Sequence, residues 1–241
     1  MIVNLVDTGW EVIYHRAHAL LAAQIAGYWN LQADISYIVE IISAISHHDD
    51  LEKEWEGDHL SEAGAPLDFT LDGKLCVEDL RQHINSARYR SRWVALLTAM
   101  HVSFLNEGRR KDSKDLDRFL DELEQQQQAW LQEMSLEPAE AKQAYALMRW
   151  CDRLSLILCR RNLPEAQRSL EITPGPDQQG YTVMQRADKT VTVEPWPFKP
   201  PEFTVHVDAT YLKQIAFKDS QELVEQLQSA PVKALVWQLA K

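Results

Sequence analysis

The residues best equipped for chemistry in this sequence are His47-His48-Asp49-Asp50, two imidazoles followed by two carboxylates. They come after the apolar segment Ile35 to Ser43, where Ile38, Ile41 and Ile42, with Ile45 just beyond, recur at the three-and-four spacing of a helix face. Polar groups at the end of a buried helix lose their hydration, and an unpaired charge there is not compensated for the loss. A divalent ion offsets that cost, because imidazole nitrogen and carboxylate oxygen are both ligands for Zn, Fe or Mn. A solvated helix end is the plain alternative, and a motif this short does not separate the two.

Other apolar segments carry polar intrusions of the same kind. From Gly9 to Trp29 the pattern reads as a helix, with Val12, Ile13, Leu20, Leu21, Ile25 and Tyr28 as its apolar face. His15 and His18 lie three apart on it, and His18, between Ala17 and Ala19, is the better placed to point inward. Cys76 to Glu107 reads as helix again; its run Trp93 to Leu105 is apolar nearly all round, with His101 as the strongly polar member. A core histidine satisfied by one hydrogen bond is the structural alternative there. In Ser135 to Arg161, Pro138 suits a first turn, and Asp152 interrupts the apolar stretch Tyr145 to Cys159. An ion pair with Arg149 or Arg153 accounts for Asp152 without any chemistry.

The remaining segments frame these. Met1 to Val6 is β-prone. Leu51 to Leu80 is a long loop, placed by its position after His48-Asp49 to wall a pocket with Trp55 and His59. Gly108 to Glu133 reads as a peripheral helix with Phe119, Leu120, Leu123, Trp130 and Leu131 as its stripe. After Pro164, the stretches 181–184, 190–193 and 203–207 alternate as strands do, 221–229 reads as a short helix and 234–237 as a last strand. Pro195-Trp196-Pro197-Phe198 reads as an aromatic clamp holding this layer to its neighbour. These boundaries divide the chain into a helical unit, 7–163, and a β-rich extension, 164–241, joined by the strand 1–6.

Composition narrows the function classes. Hydrophobic residues at 45% are enough for a sizeable core, and a net charge of −11 disfavours nucleic acid and anionic membrane surfaces as partners. Three widely spaced cysteines, Cys76, Cys151 and Cys159, read as free thiols. With no signal-peptide pattern at the start and no apolar run of bilayer length, a cytoplasmic location is expected.

Taken together, His18, the pair His48-Asp49, His101 and Asp152 resemble, in order, the HD-domain superfamily of metal-dependent phosphohydrolases. The early His18-Ala19 step, the Trp-bearing loop after His-Asp, Asp152-Arg153-Leu154-Ser155-Leu156 and Pro195 to Phe198 also resemble an uncharacterised bacterial family of HD-like proteins. The resemblance implies a mainly α fold, an HD-like helical bundle with a small C-terminal β-rich layer. It implies His18, His48, Asp49 and Asp152 as ligands of a divalent ion (Fe, Mn, Zn or Mg), and Asp49 and His101 as catalytic residues. A small phosphorylated or nucleotide-like substrate would then be hydrolysed by metal-activated water, with Arg88, Arg90, Arg92 or Arg153 available for phosphate oxygens. A non-catalytic metal-binding or interaction module and a di-iron HD-like oxygenase are the alternatives. The sequence does not give an oligomeric state.

Overall fold

The computed structural model describes residues 1–30, 37–51, 53–73, 75–164, 166 and 168–241. The chain opens with an antiparallel hairpin, β1 (Ile2–Val6) and β2 (Gly9–Ile13). The expected helix over Gly9 to Trp29 is therefore strand in its first part, and α1 runs only over His15–Gly27. Val12 and Ile13 fit either template by spacing; pairing to Val3 and Ile2 decides for strand. Gly9 makes the turn possible, with φ +130° and a position where a Cβ would lie 2.0 Å from the Leu212 carbonyl oxygen.

Helix α2 (Ile38–His47) delivers the His-Asp pair, buries Ile41, Ala44 and Ile45, and ends at His48; Ile35 and Ser36, the start of the expected segment, lie outside the described residues. The helix expected over Cys76 to Glu107 is two, α3 (Val77–Arg88) and α4 (Arg92–Asn106). Ser91 divides them, its side chain accepting from the Val94 amide at 3.1 Å as an N-cap. Helix α5 (Lys114–Glu133) is capped by Ser113 in the same way. Helix α6 (Pro138–Cys159) starts on a Glu137/Glu140 capping box with proline in its first turn and buries almost its whole apolar stretch.

Three short strands follow, β3 (Leu170–Glu171), β4 (Thr182–Gln185) and β5 (Val191–Glu194), then the long β6 (Glu202–Leu212), α7 (Ser220–Ser229) and β7 (Val232–Ala240). They join the hairpin in one seven-stranded sheet, ordered β1-β2-β6-β7-β5-β4-β3. All neighbours are antiparallel except β5 and β7. Helix makes up 48% and strand 19%, and the mixed sheet curls into a half-barrel. This corrects the expected mainly helical bundle with a small β layer. The order of strands is non-local: the hairpin pairs with β6, about 200 residues downstream, an arrangement that no local pattern encodes.

The curled sheet packs on α1 through β6. There, Gln24 fills in for a missing strand: its side chain donates to the His206 carbonyl at 2.9 Å and accepts from the His206 amide at 3.1 Å. Trp29, Trp150, Tyr181, Phe198 and Phe203 form a buried aromatic cluster between helices and sheet, with Trp29 edge-on to Trp150 at 4.7 Å and Phe198 to Phe203 at 4.7 Å. The Pro-Trp-Pro-Phe segment is thus part of the packing. Buried Glu11 receives a two-point contact from Arg161, at 2.9 and 2.6 Å, and the Tyr211 hydroxyl, which joins β2, β6 and the end of α6. No helix among the described residues is long and apolar enough to cross a membrane.

Candidate metal centre

The five residues marked in the sequence come from three helices and the turn that ends a fourth, and meet in the core. His18 projects from the middle of α1, His48 and Asp49 from the end of α2, His101 from α4 and Asp152 from α6. The three histidines are buried. His18 Nε2 lies 2.5 Å from Asp49 Oδ2, and His48 Nε2 lies 3.5 Å from the same oxygen and 3.3 Å from Asp152 Oδ1. The His48 ring stands edge-on to His18 at 5.1 Å and to His101 at 5.0 Å. His18, His48 and Asp152 offer ligand atoms within 4.8 Å of one another, and so do His48, Asp49 and His101. His48 belongs to both groups, so they overlap on one position.

Hydrogen bonds fix which ring nitrogen faces the centre. His48 Nδ1 lies 2.6 Å from the Ile45 carbonyl, which only accepts, so Nδ1 carries a proton. His18 Nδ1 lies 3.0 Å from Ser155 Oγ, whose own proton goes to the Asp152 carbonyl at 2.8 Å; Ser155 must accept from His18. In the neutral rings, both Nε2 atoms then turn a lone pair toward a carboxylate oxygen. His48 Nε2 is buried without a hydrogen-bond partner. Lone pairs facing carboxylates repel unless positive charge lies between them, and either protons or a metal ion supply it. Burial alone would lower the His48 pKa, but Asp49 and Asp152 overcome it and push it up to about 10. Conversely, burial would raise the two carboxyls, and His48 holds Asp49 well below, and Asp152 below, the usual range. Nδ1 donating to a carbonyl or hydroxyl while Nε2 faces a carboxylate cluster is the arrangement that metal-binding histidines show.

His101 differs in its surroundings. Burial, reinforced by His48, lowers it to about 4, so it is neutral at ordinary pH; its Nδ1 meets the Tyr145 hydroxyl at 3.3 Å. Asp152 does not use the alternative of a local ion pair with Arg149, whose guanidinium lies over the Phe104 ring at 3.9 Å. His47 and Asp50 do not enter the centre: His47 Nδ1 bonds back to the Ser43 carbonyl, and Asp50 pairs with Arg90 at 3.1 Å. Of the arginines proposed for phosphate, Arg90 is thus engaged, Arg92 pairs with Glu133 and Arg88 lies over Trp130. Trp55 donates to Tyr14, and His59 lines a separate open cavity of about 520 Å³ together with Lys53, Cys76 and Asp79; none of the five central residues lines it.

Sequence reasoning missed His83 and Ser155. His83, on α3, is buried and donates from Nε2 to the His48 carbonyl at 3.0 Å, which steadies the turn that presents the pair. The signal was there: Leu80, His83, Ile84 and Ala87 are the buried three-and-four stripe of an otherwise polar helix.

Residues 1–214 match the family described as "Protein of unknown function (DUF3891)". The chain belongs to that family. The matched span takes in His18, His48, Asp49, His101 and Asp152 and stops just after β6, before α7 and β7. Among curated proteins nothing matches, and among solved structures nothing matches either.

Proposed function

We propose that this chain is a metal-dependent hydrolase of HD-like chemistry, acting on a small phosphorylated or nucleotide-like substrate. The observation that supports it most is the pair of Nε2 lone pairs, on His18 and His48, that face the Asp49 and Asp152 carboxylates around one buried, unpartnered nitrogen. Two neutral imidazoles and two ionised carboxylates suit Fe, Mn, Zn or Mg in charge and donor type, and His18, His48, Asp49 and Asp152 would hold the ion. When bound, such an ion supplies Lewis-acid activation of water and neutralises charge on a phosphoryl group.

The chain's own residues divide the remaining work. Ser155 and the Ile45 carbonyl hold the two rings in the tautomer that aims Nε2 inward. Asp49 and Asp152 stay ionised through the neutral range and keep the centre attractive to a cation. His101, neutral and backed by Tyr145, is placed beside His48 to exchange a hydrogen bond or proton with a substrate oxygen. Exposure favours a reactive centre over a closed structural one: the His18 and His48 side chains are 1% exposed, whereas Asp49 and Asp152 are 21% and 17% exposed. The likeness to HD domains lies in the order of these residues along the chain, and the architecture around them is the half-barrel described above.

The test is metal content of protein purified without chelator, measured by plasma mass spectrometry beside a folded His48→Ala/Asp49→Ala double variant. Near-stoichiometric metal in the parent and its loss from the variant are expected, followed by turnover in a panel of phosphoesters and nucleotides. A parent that stays metal-free after loading with each ion, with the stability of the variant, removes the basis of the reading. Metal with no phosphoester turnover leaves a metal-binding module.

A further inference from the structure

Helix α6 carries two arginines beside the centre that pair with no carboxylate. Arg149 stands three residues before Asp152 and Arg153 one after it, which leaves the arginines four apart and neighbours on the helix surface. From Lys142 to Cys159, Asp152 is the single acidic residue of the helix, and its carboxylate is turned to His48. Elsewhere in this acidic chain Arg16, Arg81, Arg90, Arg92, Arg110 and Arg161 each lie against a carboxylate. Among the described residues, Arg149 and Arg153 form neither an ion pair nor a hydrogen bond. Like charges four apart on a helix repel, and both side chains are half-buried, so each gives up part of its hydration without a partner in return.

Packing fixes where Arg149 lies. On α4, Phe104 follows His101 by three residues, and on α6 Arg149 precedes Asp152 by three, so each lies one turn from a residue of the centre on the same side of its helix. The two meet, with the Arg149 guanidinium over the Phe104 ring at 3.9 Å. Phe104 in turn stands edge-on to Tyr145 at 6.2 Å, and the Tyr145 hydroxyl meets His101. Burial raises the pKa of that hydroxyl, and the charge of Arg149 opposes the rise, which ties the guanidinium electrostatically to the group behind His101. A guanidinium stacked on a ring face keeps its N–H donors in its own plane, where they can fork onto an oxyanion. Asp152, 17% exposed, opens to solvent between the two arginines.

We propose that Arg149 and Arg153 form the anion subsite of this centre and select a phosphomonoester over a phosphodiester. Two fixed positive charges match the dianion of a monoester, whereas a diester offers one charge and fewer unesterified oxygens. Arg149, held flat on Phe104, supplies the two-point fork to the phosphoryl oxygens, and Arg153, one turn along, supplies the second charge. The bound anion then offsets the repulsion between the arginines. The substrate class rests on the hydrolase reading; the anion site itself does not.

Calorimetric titration of the full chain with inorganic phosphate and with dimethyl phosphate tests it, at about pH 8, where the former is mainly a dianion. The metal content of every sample is measured alongside. The parent should bind phosphate at least about tenfold more tightly than the diester, and Arg149→Met and Arg153→Met should each weaken phosphate by about tenfold and the diester little. Arg149→Lys, which keeps the charge and loses the fork, should fall between the parent and Arg149→Met. Arg118→Met removes an exposed charge from α5 and should equal the parent. A parent that binds no phosphate overturns the proposal, as do methionine variants at Arg149 and Arg153 that bind it like the parent or like Arg118→Met. The two readings fail separately. A metal-free parent whose phosphate binding depends on Arg149 keeps the subsite and removes the hydrolase, whereas metal-loaded protein with turnover and phosphate affinity unchanged in both methionine variants keeps the hydrolase and removes the subsite.

Discussion

Ser155 does for His18 what the Ile45 carbonyl does for His48, by taking the Nδ1 proton and so deciding which nitrogen turns inward. Its removal separates orientation from ligation. Ser155→Ala should leave every ligand atom present and weaken metal binding by roughly 10- to 100-fold, the usual effect of losing a group behind a ligand; a competition titration against a chromogenic chelator measures it, and an unchanged affinity would deny Ser155 that role. Glu54 presents a different case of a buried partner. Burial by itself would raise its pKa, but hydrogen bonds from the His15 side chain and amide, with the α-amino group nearby, bring it down to about 2. A carboxyl depressed by folding adds stability that is complete above its ordinary value near 4.5 and is lost as pH falls toward 2. Glu54→Gln should therefore cost about 3 kcal/mol at neutral pH and flatten the dependence of the unfolding midpoint on pH across that acidic window. Thermal melts of parent and variant at a series of pH values check both expectations.

At the scale of elements, the glycine turn between β1 and β2 carries the join between the two ends of the chain. Gly9→Ala sets a Cβ against the Leu212 backbone and a side chain in a positive-φ conformation, with no flexible group to yield. A loss of about 3 kcal/mol or more is expected from strain and overpacking together, read from urea denaturation. Gly27→Ala, where nothing lies within 4 Å, is the matched control and should be close to neutral. What could be read of these elements from sequence depended on how local their determinants are. Polar residues that interrupt apolar helices, His18, His101 and Asp152, stand out against their neighbours, and His48-Asp49 stands out as a pair. His83 did not, because α3 is polar around most of its circumference and one histidine in it looks like surface. The strand Gly9–Ile13 was hidden by the long helical pattern that follows it, and β3, two residues long, has no pattern to detect. The place of β7 between β5 and β6 depends on pairings far apart in sequence, so the alternating stretches gave strands without giving a sheet.

The whole molecule is tied through α1, which packs on α2 and α6 on one side and on β6 on the other. A ligand set drawn from α1, α2 and α6 means that an ion bound there binds the folded arrangement and not the unfolded chain. Chelation should accordingly lower the unfolding midpoint, with about 4 kcal/mol at stake when free metal stands a thousandfold above its dissociation constant. It should also do so more steeply at neutral than at mildly acid pH, where protons compete for the same nitrogens. Calorimetric scans with and without chelator, repeated on His48→Ala/Asp49→Ala, separate this from general salt effects. Gln24 extends the same helix to the sheet, one amide group standing in for an absent strand at His206. The His206 N–H therefore owes its protection from exchange with solvent deuterium to a side chain, and to the same helix that carries His18. Its exchange rate is a clock on the seating of α1, which ticks faster whenever that helix lifts from the sheet and so makes events at the buried centre audible on the far side of the fold.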